Sequence, residues 1–71
     1  MTAENVKGLL NAEPFRPFRI CLPSGKSVLI PHADFAAISP SGRTLVVLGE
    51  RESQEIIDIR LIERIETEAA A

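Results

Sequence analysis

Three kinds of apolar spacing divide the chain. Behind Thr2, a good helix N-cap, Val6, Leu9 and Leu10 recur at helical spacing, and Glu4 in the first turn suits the helix dipole. The pattern predicts a short helix from Ala3 to Glu13, ended by Pro14 because the residue before a proline is pushed out of the α region. Gly8 weakens its middle by up to ~1 kcal/mol, so the helix is stable only when docked. Phe15-Arg16-Pro17-Phe18 follows as a stiff connector, its two phenylalanines placed as plugs between helix and sheet.

From Phe18 the period becomes two. Phe18, Ile20 and Leu22 share one face of a half-buried strand, with Arg19 and Cys21 on the other. Pro23-Ser24-Gly25-Lys26 reads as a turn, and Val28 and Ile30 as an antiparallel return strand. Pro31 has no amide donor and marks an edge or bulge. Beyond it, residues 32–38 read as the far arm of a sharply bent second strand with Phe35 and Ile38 in the core, a helical turn over Ala33–Ala37 being the alternative. After the turn Ser39-Pro40-Ser41-Gly42-Arg43, Thr44 to Leu48 is apolar on both faces and predicts a mid-sheet strand. A charged hairpin over 49–53 leads to a strand from Gln54 to Ile59.

The last change of period comes at the end of that strand. The alternation of Ile57, Ile59 and Leu61 gives way to a three-residue step from Ile62 to Ile65, as expected of a pivot at Arg60-Leu61-Ile62 into a short last strand, Glu63–Ile65. Residues 66–71 read as a tail. The reading is one domain over 1–71, mainly β (α+β): a helix over 1–13, then strands over 18–65 forming a strongly bent five-stranded antiparallel sheet or small barrel. Its expected core sets Phe18 against Val46, Val47, Ile57 and Ile59.

Size sharpens this picture. At 71 residues, folding buries only about 60% of the unfolded chain's surface, and such domains usually need a staple. A single cysteine excludes an internal disulfide, and one Cys with one His falls short of a four-ligand structural zinc site. Self-association or unusually good packing is left, and the 45% hydrophobic content favours either. The short final strand is an expected edge with unpaired amides, so Glu63, Arg64 and Ile65 are the candidate self-association residues, and Arg64→Pro is expected to delete an edge donor. A homo-oligomer follows, a closed ring being preferred over an open filament.

Charge adds little chemistry. The net charge is −2, with +2 over residues 1–49 (five basic, three acidic) and −4 over 50–71 (three basic, seven acidic). Opposite edges of neighbouring subunits can use such a split, although two solvated faces explain it more simply. There is no dense Lys/Arg cluster. Arg16, Arg19, Lys26, Arg43 and Arg60 are the candidate nucleic-acid contacts, and RNA is a disfavoured partner. All three aromatics are phenylalanines, which counts against a base-stacking platform. The isolated glycines make no phosphate loop.

His32 is the one side chain whose ordinary titration lies near neutrality, and Asp34 two residues on has weak dyad spacing. A hydrolase also needs a nucleophile and an oxyanion site, and Ser39 and Ser41 are explained as turn residues. His32 is therefore expected to cap or hydrogen-bond at the bend, and Cys21 to be a small semi-buried filler, facing outward or lying under the helix. No catalytic residue, cofactor or metal is expected. A protein partner remains open beside self-association. The longest apolar run, Leu45–Leu48, is far short of the ~20 residues of a membrane span, no targeting segment is visible, and an unpaired cysteine fits a reducing compartment. No membrane association and a cytoplasmic location are expected.

In element order, residues 3–66 resemble the Sm-like family and its bacterial RNA-chaperone branch, Hfq, or more broadly a Src-homology-3-like barrel. The resemblance implies ring assembly by edge pairing of the last two strands. It carries no RNA-binding residue over, because where that branch has a Tyr/Phe-Lys-His run this chain has Ile57-Asp58-Ile59-Arg60. Pro17-Phe18-Arg19, Pro31-His32-Ala33-Asp34-Phe35 and Ser41-Gly42-Arg43-Thr44-Leu45 are also similar to a pattern in a group of small bacterial proteins, which brings no activity with it. The expected role is a non-enzymatic interaction module; an RNA-binding ring is second, and a minimal hydrolase around His32 third.

Overall fold

The structure, a computed structural model, describes residues 1–49, 51 and 53–67. One helix, α1 (Ala3–Leu10), precedes six strands: β1 (Phe18–Cys21), β2 (Ser27–Ile30), β3 (Ala36–Ile38), β4 (Thr44–Leu48), β5 (Gln54–Asp58) and β6 (Arg64–Thr67). They form two three-stranded antiparallel sheets, ordered β2-β1-β6 and β3-β4-β5. The expected five-stranded sheet or closed barrel is thus corrected to an α+β fold with two open sheets. The physical reason lies at Pro31: the chain leaves the first sheet there, makes a 3-10 turn over Ala33–Phe35 and enters the second sheet at Ala36, so the bent strand becomes β2 and β3. Each of the two readings of residues 33–37 held for part of the segment.

The chain returns to the first sheet through a second 3-10 turn, Ile59–Leu61, at the expected pivot. The strand before it therefore stops at Asp58, one residue early, and the last strand is Arg64–Thr67 rather than Glu63–Ile65. Glu66 and Thr67 are strand, not tail.

Register defines the inner faces. Phe18 pairs with Ile30, and Ile20 with Val28 and Ile65; in the second sheet Leu45 lies between Ile38 and Ile57. Phe18, Ile20, Ile30, Leu45, Val47 and Ile57 are buried in one cluster with Val6, Ile59 and Ile62. Four of the five expected core residues belong to it. Val46 does not: it is one step out of phase with Leu45 and Val47, and it lies half-buried on the outer face beside Ala37 and Ile56.

Thr2 caps the helix as expected, its hydroxyl accepting from the Asn5 N–H at 3.3 Å while Asn5 Oδ1 accepts from the Thr2 N–H at 3.4 Å. The helix ends at Leu10, short of Glu13, because its apolar stripe ends there and nothing beyond can dock. It packs against β3 and closes one end of the core. Gly42, at φ +76° in the 39–43 turn, is required twice over: a Cβ there would approach Ala3 Cβ to 3.2 Å, in a backbone region that side chains disfavour.

Candidate functional site

The free strand edges come first, because they follow from hydrogen-bond parity. Leu22 N–H donates to Lys26 O in the first hairpin, so even-numbered β1 residues bond to β2, and Arg19 and Cys21 face β6. Their partners Arg64 and Glu66 turn their backbones toward β1, and Glu63 N–H donates to Cys21 O at 2.9 Å. The outward backbone of β6 therefore belongs to Ile65 and Thr67. Of the expected self-association residues, Glu63 lies before the strand, Arg64 faces β1, and only Ile65 turns its backbone outward. Arg64→Pro would break the internal ladder, not an exposed donor. Proline at Thr67 is the edge-breaking change.

Of the four sheet edges, β2, β6, β3 and β5, the last is the one that follows the charged loop. Ile59 N–H donates to Arg43 O and Gly49 N–H to Ser53 O, so odd-numbered residues bond to β4, and Gln54, Ile56 and Asp58 present their backbones outward. Ile56 is also the most exposed large apolar side chain of the described residues, at 71%.

Asp58 ends this edge with a polar lock. Its carboxylate accepts from Arg60 N–H at 2.9 Å, from Nε at 3.2 Å and from Nη2 at 2.9 Å, which caps the second 3-10 turn. Those hydrogen bonds from Arg60 hold the Asp58 carboxyl below its ordinary value. Leu61, expected to continue the inward alternation, is 60% exposed, and Ile62 takes its place in the core. A 3-10 turn advances side chains by about one third of a revolution per residue, which ends the two-residue period.

The expected phosphate contacts are dispersed. Arg16 sits by the helix exit with Glu13 and Thr67. Arg19 lies on the outer face of the first sheet between Leu29 and Glu66. Lys26 pairs with Glu55 of the other sheet, and Arg60 is tied to Asp58, which also feels Arg43. Charge on these residues is partly spent inside the chain rather than gathered into a stripe.

His32 stands at the N-cap of the first 3-10 turn, but its side chain makes no capping bond; its ring lies 5.8 Å from that of Phe35. The expected cap is thus corrected to an aromatic contact. Phe35, expected in the core, is 37% exposed because the 3-10 turn rotates it outward. Ser39 and Ser41 bond to one another at 3.1 Å and to the backbone of Thr44 and Arg43, holding their turn. Cys21 is buried, and its thiol donates to Glu66 Oε1 at 3.5 Å; burial, with that carboxylate beside it, pushes the thiol up. Among the described residues, no three His, Cys, Asp or Glu side chains lie close enough to hold a metal ion, and no helix is long and apolar enough to cross a membrane.

Sequence reasoning missed one feature. Leu29, Pro31, His32, Phe35, Leu48 and Gly49 line a groove of about 470 Å³ where β2 and β4 part. The signal for it was Pro31, which ends β2 before the sheets can close. No family model matches the chain, and no curated protein or solved structure is found to be similar to it.

Proposed function

We propose that the chain is a non-enzymatic interaction module that associates with copies of itself by pairing the free edges of β5 and β6. The observation that carries this reading is the pair of outward backbones, Gln54, Ile56 and Asp58 on one edge and Ile65 and Thr67 on the other, both short enough to match. An edge strand with unpaired donors and acceptors is a template for another strand. Two different edges on one molecule make a head-to-tail contact, which closes into a ring when the rotation permits. The order of the strands and the bend at Pro31 support a relation to the Sm-like small-barrel architecture within this reading.

Amide exchange tests it residue by residue. The Ile56 and Ile65 N–H groups exchange freely in a monomer, and edge pairing should slow both as concentration rises. If neither responds, edge pairing is wrong. The second reading, an RNA-binding ring, rests on the same assembly with Arg16, Arg19, Lys26, Arg43 and Arg60 as its phosphate contacts. Given their dispersal, RNA binding no tighter than ~10 µM at physiological salt is expected, the range of non-specific contacts. A sub-micromolar gel shift with a short U-rich or A-rich RNA would reverse the ranking.

A further inference from the structure

The outer face of the second sheet is apolar at its middle, with Thr44, Gln54 and Asp58 toward its ends. Ala37, Val46 and Ile56 are cross-strand neighbours, and Leu48 follows Val46 on the same face. Leu48, 50% exposed, is also a wall of the groove, with Leu29, 41% exposed, opposite. One surface therefore carries a projecting apolar side chain, Ile56, and an apolar depression beside it. Of the charges near it, Asp58 is paired with Arg60 and Lys26 with Glu55.

We infer that a second copy of the chain covers this face about a two-fold axis, with Ile56 of each copy seated in the groove of the other. Three observations select a second copy. The projection and the depression lie on the same face, which is what an isologous contact requires, since each patch must complement itself. The size also fits. A standard interface takes roughly 800 Å² per partner, about one sixth of the 5023 Å² that the chain exposes. Finally, a core this small gains most from added burial. The inference rests on self-association but assigns it to a face, so it stands or falls apart from edge pairing.

The test is disulfide trapping between single-cysteine variants in a Cys21→Ser background. Ile56→Cys mixed with Leu29→Cys and mildly oxidised should give a cross-linked heterodimer in high yield. Ile56→Cys mixed with Glu66→Cys, exposed on β6, reports edge pairing instead. Cross-linking of the second mixture alone, or of neither, overturns the face contact. Leu48→Lys, at an exposed position, should keep the fold by circular dichroism yet reduce the trapped yield at least tenfold; an unchanged yield would also overturn it. Failure of the self-association reading itself shows separately, as a parent chain that sediments only at 7.8 kDa.

Discussion

The chain passes between its sheets at two 3-10 turns, and they are built differently. The second, Ile59–Leu61, is pinned by polar and apolar groups together: Asp58 caps it and grips Arg60, while Ile59 and Ile62 on either side are buried. The first, Ala33–Phe35, buries no side chain of its own, has no side-chain cap, and turns Phe35 toward solvent against His32. Both perform the same topological task. One is anchored in the core; the other follows from a proline that ends a strand and leaves apolar surface outside. Where a turn is fixed by the core, its apolar residues are used up within the chain. Where it is fixed by the backbone alone, they remain available, and that is where the groove lies.

The largest expected effect tests the core on which both crossings depend. Phe18 is fully buried between Ile30 and Thr67, and Phe18→Ala should cost ~3–5 kcal/mol, enough to unfold so small a domain. A melting temperature within a few degrees of the parent would show that Phe18 does not hold the sheets together. Next, the crossings should separate from one another. In urea unfolding at a concentration that keeps the chain dissociated, Ile62→Ala should lose ~2–5 kcal/mol and Phe35→Ala only about 0.5 kcal/mol, as at an ordinary surface position. Equal losses would erase the distinction between the two turns.

A smaller effect should follow pH. Asp58 has a folded-state pKa held below its ordinary 3.8 by Arg60, so its contribution is present above the unfolded value and is lost as pH falls through the folded one. Asn retains a capping oxygen without the charge. The stability difference between the parent and Asp58→Asn should therefore shrink as acid is added below the ordinary aspartate range; a difference that is constant with pH would mean that the ion pair contributes nothing. The smallest effect belongs to the first crossing. His32→Ala removes no capping bond and should leave the dissociated chain's melting temperature unchanged, whereas a clear drop would reveal a role for the ring that its contact with Phe35 does not supply.

Much of this arrangement is legible in the sequence, and the rest has a common cause. Thr44–Leu48 reads correctly because two turns with glycine bracket an apolar run, and Thr2 reads correctly because helix capping is local. The pivot is visible because a 3-10 turn changes the apolar period. What the pattern hides is which of two apolar faces points inward. Val46 and Ile56 look as core-like as Val47 and Ile57, and only pairing with β3 and across the sheet decides between them. Phe35 is hidden for a related reason: its direction depends on the geometry after Pro31, not on its own hydrophobicity. The free edges of β5 and β6 are partly readable as elements, but which amide points outward is a matter of register, and register is not local. That is why Ile65 and Thr67, rather than Arg64, carry the outward backbone.

Sedimentation equilibrium of the parent chain at roughly 100 µM, generous for an interface of standard size, tests self-association most directly. A mass that rises with concentration above 7.8 kDa toward a defined multiple of it is the predicted result, and a single species at 7.8 kDa throughout would contradict it.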